Sequence, residues 1–431
     1  MAMQNLTFYK GIILNPLNDT KCEFYEDGLL VVKGGIIQDV MTFSKGQKKY
    51  QDQISKKNFK DFGNSLIVPG FYDMHFHWVQ DDVREMPKDS LLEWLDKYTF
   101  PTEMRFAKKS YSTKKAKTFF KRIVTTGTLG GACYSSIHEH AVEAAMKVAK
   151  GDFLIGNVLM NMNSPKELTQ TDKDSLDITA RLIKKFKDRY IFTPRFAIST
   201  SPEVMKKGSA LADRAGCFKQ SHLSETPAEI DFVLSLYRKI PGFEKVKSYT
   251  EIYQKTGMLG KNSLMGHGIH LTPAELSLLS KTKTSIIHCP TSNAPISQKG
   301  LGSGLFDFKK IEKNKIRWAL GSDIGGGPFL SMLDVIQSFV DQNKKKGVKG
   351  ATYTKGLYRA SLAGAEILGL GKRSGNLKKG KEANFVVFPL KAKVNDPEEA
   401  LKKLINPFRS KRPDYDRLPI YVCLRGEALK K

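Results

Sequence analysis

A chain of 431 residues, 40% of them hydrophobic and 26% charged, with a mean hydropathy of −0.35, has the proportions of a folded globular protein, which excludes disorder over most of its length. At roughly 150 residues per domain the length suggests about three domains, although an α/β barrel of about 250 residues counts as one. The 70 basic and 44 acidic residues give a formal charge of +26, yet the lysines are scattered singly or in short runs such as Lys344, Lys345 and Lys346. No module interleaves arginine with aromatic residues, so no nucleic-acid partner is expected.

No apolar run approaches the roughly 18 residues that a membrane span needs, and residues 1–14 hold no continuous hydrophobic leader. The expectation is a cytoplasmic protein with no membrane partner. The five cysteines, Cys22, Cys133, Cys217, Cys289 and Cys423, are odd in number and widely spaced, and they form no CxxC pair. They read as reduced, mostly buried thiols.

In chain order, residues 1–67 show short β-rich runs, GIILNPL and YEDGLLVVKGGIIQDV, with Asp27-Gly28 and Gly34-Gly35 as turn signals. Residues 376–431 return to the same texture in GNLKKGKEANFVVF and RLPIYVCLRGEAL, separated by a Lys-rich stretch from Pro397 to Pro413 that reads as exposed loop and short helix. Both ends together predict one small composite β-sandwich domain. Between them, residues 68–375 alternate apolar strand-like runs with amphipathic helical stretches. The runs are LIVPGFYDMHFH, TGTLGGACYSSIH, FLIGNVLMN, YIFTPRFAIS, GCFKQSHLSE, NSLMGHGIHL, TSIIHCPTSN and IRWALGSDIG. Eight such units, with no Gly-rich dinucleotide fingerprint after the first strand, predict an α/β fold of the (β/α)8 TIM-barrel type rather than an open doubly wound sheet.

The eight histidines, His75, His77, His138, His140, His222, His267, His270 and His288, all fall at or just after a predicted strand end, where such barrels carry their chemistry. In MHFH, His75 and His77 stand two apart, so on a strand both imidazoles point to one side. An HxH pair alone is weak evidence. With His222 on the fifth strand and Asp323 on the eighth it makes three imidazoles and a carboxylate, a donor set for zinc with room for a water.

The runs VPGFYDMHFH, SHLSE, the GHG after Met265, HCPTSN and GSD resemble, in order and spacing, the amidohydrolase superfamily of metal-dependent barrel hydrolases. GNLKKGKEANFVVF is similar to that superfamily's return into a small β domain, with Asn384 where Asp is more usual, a departure expected to leave the chemistry untouched. Some members hold two metals bridged by a modified Lys at the end of the fourth strand. TPRFAIST offers Arg195 there, so the resemblance implies one Zn2+ per chain, held by His75, His77, His222 and Asp323. The deaminase branch places a Glu three residues after the fifth-strand His, which SHLSE supplies as Glu225. The long segment DSLLEWLDKYTFPTEMRF, with ACYSSIH, TPRF, QSHLSE and LGSDIGGGPFLSMLD, resembles the guanine-deaminating family within that branch, and a homodimer is implied.

The chemistry implied is hydrolytic replacement of the exocyclic amine of guanine, giving xanthine and ammonia. Zinc lowers the pKa of water toward about 7, Asp323 takes the water's proton, and Glu225 shuttles a proton to N3 and then to the leaving amine. His267 would hydrogen-bond the attacking hydroxide or polarise the reacting centre. Arg195 has donors only and matches O6 of guanine, while it would face an unpaired donor in adenine. Phe196 could cover the purine face and Gln80 could pair with the edge near N3 and N9. His77, His222, Glu225 and Asp323 complete the expected substrate contacts. Trp78 and Val79 replace smaller residues of the family and are expected to alter pocket shape. His138, His140 and His270 read as structural and Cys289 as a core thiol. His288 is open between support of the metal site and a structural role. Two readings compete: a deaminase of a pterin, oxidised guanine or triazine, and a non-catalytic barrel scaffold. The latter would be expected to have lost the ligands that this chain keeps. The unrelated zinc deaminase fold requires a PCxxC pair, which is absent.

Overall fold

The computed structural model describes residues 6–405 and 414–430. Its strands fall into two sheets, one of seven strands and one of eight. The seven-stranded sheet takes β1 (Leu6–Pro16), β2 (Cys22–Lys33), β3 (Ile36–Thr42) and β4 (Phe59–Pro69) from the N-terminal part. From the C-terminal part it takes β13 (Phe385–Phe388), β14 (Tyr421–Leu424) and β15 (Glu427–Lys430). Their order is β15-β14-β13-β4-β1-β2-β3, so the two chain ends meet where β13 pairs antiparallel with β4. Side chains on a strand alternate between faces, and the apolar residues here serve both. Tyr9, Ile13, Leu30 and Val32 pack with Phe385 and Val387 on one face, while Phe8, Leu29 and Val31 pack with Tyr50 on the other.

Gly34 and Gly35, both at positive φ (58° and 78°), make the two-residue hairpin between β2 and β3. Asp27-Gly28 does not turn. Gly28 runs within β2 opposite Gly11, beside a register shift, and a Cβ there would stand 2.7 Å from Ile13. The glycine therefore permits close backbone packing rather than a reversal. In the Lys-rich stretch a helix spans Pro397–Ile405, and the remainder, 406–413, lies outside the described residues.

The eight-stranded sheet is parallel and runs in sequence order: β5 (Phe71–His77), β6 (Thr128–Ser135), β7 (Asp152–Leu159), β8 (Ile191–Pro194), β9 (Phe218–Leu223), β10 (Ser263–His267), β11 (Ser285–His288) and β12 (Trp318–Leu320). Each falls in one of the eight expected runs, β7 starting one residue before its run, at Asp152. The first run divides, because LIVP ends β4 in the terminal sheet and only Phe71 onward enters the barrel. Nearly every residue of these strands is buried, as expected where helices cover one face and a packed interior fills the other. The ends come together through backbone bonds from Asp323 N to His75 O (2.8 Å) and from His77 N to Ile324 O (2.5 Å). This is the (β/α)8 barrel that the alternation predicted.

Three helices begin with the same chemistry. Ser201-Pro202, Thr226-Pro227 and Thr272-Pro273 each place a hydroxyl at the N-cap and proline in the first turn, and the two threonines form reciprocal capping boxes with Glu229 and Glu275. These caps fix short loops after the barrel strands. By contact the chain divides into two compact units, one of residues 1–73, 122–130 and 330–431 and one of residues 74–121 and 131–329. None of the helices among the described residues is long and apolar enough to cross a membrane.

Gly321 makes barrel closure possible, since a Cβ there would lie 2.8–3.1 Å from the His75 backbone and Cβ. Gly321→Ala should therefore destabilise by about 1–3 kcal/mol, the range for overpacking. Denaturant unfolding followed by circular dichroism would check this.

Candidate metal and catalytic site

The site begins on β5. Residues 75 and 77 share one face, while Phe76 between them turns to the other side and packs against Phe119 and Phe153, with ring centroids 5.9 and 6.0 Å away. The two imidazoles meet His222 from β9 and Asp323 from the loop after β12. His77 Nε2 lies 3.2 Å from His222 Nε2. His75 Nε2 and His77 Nε2 lie 3.2 and 3.4 Å from Asp323 Oδ1. Donors at about 2.0–2.1 Å from a tetrahedral zinc would stand about 3.3 Å apart, so these spacings fit a single first-row divalent ion. His267, at the end of β10, is also close. One donor atom each from His75, His222, His267 and Asp323 lie within 4.8 Å of one another.

Hydrogen bonds separate the roles of the imidazoles. His222 Nδ1 lies 2.6 Å from the carbonyl oxygen of Arg195. A carbonyl only accepts, so Nδ1 carries the proton and Nε2 presents a lone pair to the cluster. In His267 the order reverses. Asn293 Nδ2, a donor, approaches Nδ1 at 3.1 Å, so the ring proton sits on Nε2, 4.0 Å from Asp323 Oδ2. His222 is set as a ligand and His267 as a donor facing the same space. Burial pushes His77 down to about 3 and His267 to about 4, and holds His222 well below its ordinary value. All three are neutral at physiological pH, the state in which imidazole binds metal. The ring of Tyr134 closes the cluster from the side, with its centroid 4.3 Å from that of His77 and 4.7 Å from that of His75.

Two buried carboxyl groups in the cluster are driven apart. Burial pushes Glu225 well above the usual carboxylate range, aided by the Asp323 charge. Burial acts the same way on Asp323, but contacts from His75 and His77 outweigh it and hold that carboxyl well below its ordinary value. The two carboxyl groups are thus poised oppositely, Glu225 toward the acid form and Asp323 toward the base. Asn293 Nδ2 and Ser303 Oγ donate to Glu225 Oε1 at 3.1 and 3.0 Å. With Oε1 committed as an acceptor, Oε2 is the oxygen left to carry a proton. Glu229 fixes the backbone beneath it by accepting from the Glu225 N–H at 2.8 Å, and burial raises its own pKa to about 7.

Beside the cluster lies a cavity of about 400 Å³, including its open mouth. It is lined on the polar side by His77, Gln80, Arg195, His222, Glu225 and Asp323, and on the apolar side by Leu91, Trp94, Leu95, Phe196 and Leu301. Every residue expected at the site is therefore in the cluster or on the cavity wall. Trp78, expected to reshape the pocket, lies outside it: its Nε1 donates to Ser135 Oγ at 3.0 Å, and its ring packs edge-on against Phe106. Val79 is buried but is not part of the lining either. His140 Nε2 and His270 Nε2 bond the carbonyls of Phe106 and Ser303. His138 bonds Ser136, and His288 stacks on Phe306 at 4.4 Å.

Sequence reasoning missed Glu103, Glu229, Asn293, Ser303 and Tyr134. Asn293 and Tyr134 stood inside quoted motifs, HCPTSN and ACYSSIH. Glu229 was signalled as the third helical residue after a Thr-Pro cap. Nothing local marks Ser303.

The family model for the amidohydrolase family matches residues 66–413, and the chain belongs to that family. Within it the chain is 35% identical to guanine deaminase of Escherichia coli (strain K12) over 84% of its length and 81% of that protein, and 29% identical to guanine deaminase of Dictyostelium discoideum over 100% of its length and 93% of that protein. Among solved structures, guanine deaminase from C. acetobutylicum with bound guanine in the active site superposes with a TM-score of 0.86 at 30% identity, covering 98% of this chain and 100% of that one.

Asn293 is the donor shared by Glu225 and His267. Asn293→Ala should cost about 1–3 kcal/mol, the penalty for leaving buried polar groups unsatisfied, seen as a lower midpoint in denaturant unfolding.

Proposed function

We propose that this protein catalyses the zinc-dependent hydrolytic deamination of guanine to xanthine and ammonia. The observation that carries the reading is that Arg195 lines the same cavity as His77, His222, Asp323 and Glu225, with His75 clustered against His222 and Asp323. A donor-only side chain is thereby set against a hydrolytic centre, which suits an oxo-purine and disfavours an amine at position 6.

His75, His77, His222 and Asp323 are the proposed ligands, since the spacings of their donor atoms suit one divalent ion and His222 turns its lone pair inward. Zinc held there would supply water that ionises near neutral pH. Asp323, kept ionised, takes the water's proton. Glu225 gives its proton to N3 of the ring, takes up the proton of the hydroxyl added at the ring carbon and delivers it to the departing amine, and the proton held by Asp323 restores Glu225. His267 offers its Nε2 proton to the attacking oxygen. Arg195 binds O6, Gln80 faces the ring edge and Phe196 covers the ring. One zinc per chain is supported by the arginine at the fourth strand, where a bridging lysine would have to stand. The reading carries with it the homodimer that the resemblance to the guanine-deaminating family implies.

The purified protein should convert guanine to xanthine with release of ammonia and contain about one zinc per chain by elemental analysis. Unchanged guanine, or two tightly held metals, would overturn the assignment. Glu225→Gln should keep its zinc and lose about 10²-fold or more in kcat, the range for general acid-base groups. Loss of metal in that variant would make Glu225 a ligand instead.

Arg195→Ala should raise KM for guanine and narrow the ratio of kcat/KM for guanine over adenine. The ratio at stake reaches roughly 10⁴, the scale on which a hydrogen-bonding site rejects a mismatched ligand. An unchanged ratio would assign Arg195 to structure alone.

A further inference from the structure

We infer that Glu103 is the positioning residue for the purine-binding wall, setting the orientation of both Arg195 and Gln80 without touching substrate itself. The inference rests on the reading of the pocket as a guanine site. Glu103 is 0% exposed and lies behind the wall rather than in the lining. Arg195 Nη1 donates to its two oxygens, at 2.9 Å each, and Gln80 Nε2 donates to Oε1 at 2.9 Å.

Two consequences follow from the chemistry of a carboxylate, which only accepts. The Gln80 amide cannot rotate by half a turn, because its oxygen would then face the Glu103 oxygen. Its Nε2 stays on Glu103 and its Oε1 stays toward the Gly325 N–H, 3.3 Å away. The guanidinium is likewise held from one side by Glu103, while the ring of Phe100 lies 5.3 Å from its centre. The remaining donors of Arg195 make no hydrogen bond to described residues and are left for a ligand. The ion pair also cancels the arginine charge, so this wall offers directed donors with no net charge. That suits an uncharged purine base better than an anionic or phosphorylated one.

The source of Glu103 supports the same role. It stands on the short helix Phe100–Met104, which continues the π-helical turn Leu95–Thr99. One segment, DSLLEWLDKYTFPTEMRF, thus contributes Trp94 and Leu95 to the cavity, Phe100 beneath the guanidinium and Glu103 to the pair. A buried ion pair yields little net stability over apolar packing of the same volume. What it does provide here is direction.

The test is a double-mutant cycle on the zinc-loaded enzyme: wild type, Glu103→Gln, Arg195→Ala and the double variant, each read for guanine kcat, KM and zinc content. Glu103→Gln should lower kcat/KM by about 10–100-fold, mainly through KM, as expected for misplaced binding groups, with zinc content unchanged. In the Arg195→Ala background the same change should cost less, leaving only the share that runs through Gln80. A KM within twofold of wild type, or fully additive losses, would overturn the inference while leaving the proposed activity intact. A wild type inactive on guanine overturns both. Should Glu103→Gln not fold, Glu103→Asp keeps the charge but shortens the reach. A raised KM with unchanged zinc then supports the inference, and an unchanged KM overturns it.

Discussion

Barrel closure at Asp323 is the interaction on which the site depends. The backbone N–H of Asp323 donates to the His75 carbonyl, and the His77 N–H donates to the Ile324 carbonyl. The contact that joins the last strand region to the first is therefore also the contact that brings the carboxylate to the HxH pair. Because the pairing is main-chain to main-chain, the spacing between Asp323 and the two imidazoles is set by the sheet rather than by mobile side chains. Gly321, two residues earlier, leaves no side chain to hold the strands apart.

From that frame, environment divides the work between like residues. Asp323 and Glu225 are both buried carboxyl groups, yet imidazole contacts hold the pKa of Asp323 down, while burial and the neighbouring charges of Asp323 and Glu229 push that of Glu225 up against the bonds from Ser303 and Asn293. Their surroundings drive the two pKa values apart. His222 and His267 diverge in the same way. A carbonyl at Nδ1 turns the lone pair of one inward, and an amide donor at Nδ1 turns the proton of the other inward. The chemistry lies less in which residues occupy the cluster than in what each is bonded to on its far side.

That distinction also explains what the sequence made legible. The eight strands were readable because they are apolar runs ending in polar groups, and the histidines were readable because strand ends are where a barrel exposes its chemistry. His75, His77, His222 and Asp323 share motifs whose spacing is local to a strand or a turn. Glu103, Asn293 and Ser303 act across 92, 68 and 78 positions of chain, and nothing in their neighbourhoods announces the partner. Asp27-Gly28 misled because a glycine needed for close packing of two strands looks, in sequence, like one needed for a turn. Trp78 misled in the opposite sense. As a larger residue in place of a smaller one of the family it implied a changed pocket shape, but the short 3₁₀ turn Trp78–Val83 turns it toward Ser135 and leaves Gln80 facing the cavity.

The backbone carries a mark of the same demands. Ser224, His267 and Asp323 all take positive φ, at 48°, 69° and 51°, a region in which non-glycine residues are held at a cost of order 1–3 kcal/mol each. The three sit at the C-terminal ends of β9, β10 and β12, where each strand must stop pairing and turn its next side chain into the cavity mouth. Glycine would relieve the strain at any of them. At 267 and 323 it would also remove the imidazole and the carboxylate that the cluster is made of. At 224 it would loosen the three-residue step from His222 to Glu225, whose far end is pinned by Glu229 and the Thr226 cap. The surrounding bonds, from the barrel-closing pair at Asp323 to the Asn293 bridge at His267, hold these strained residues in place.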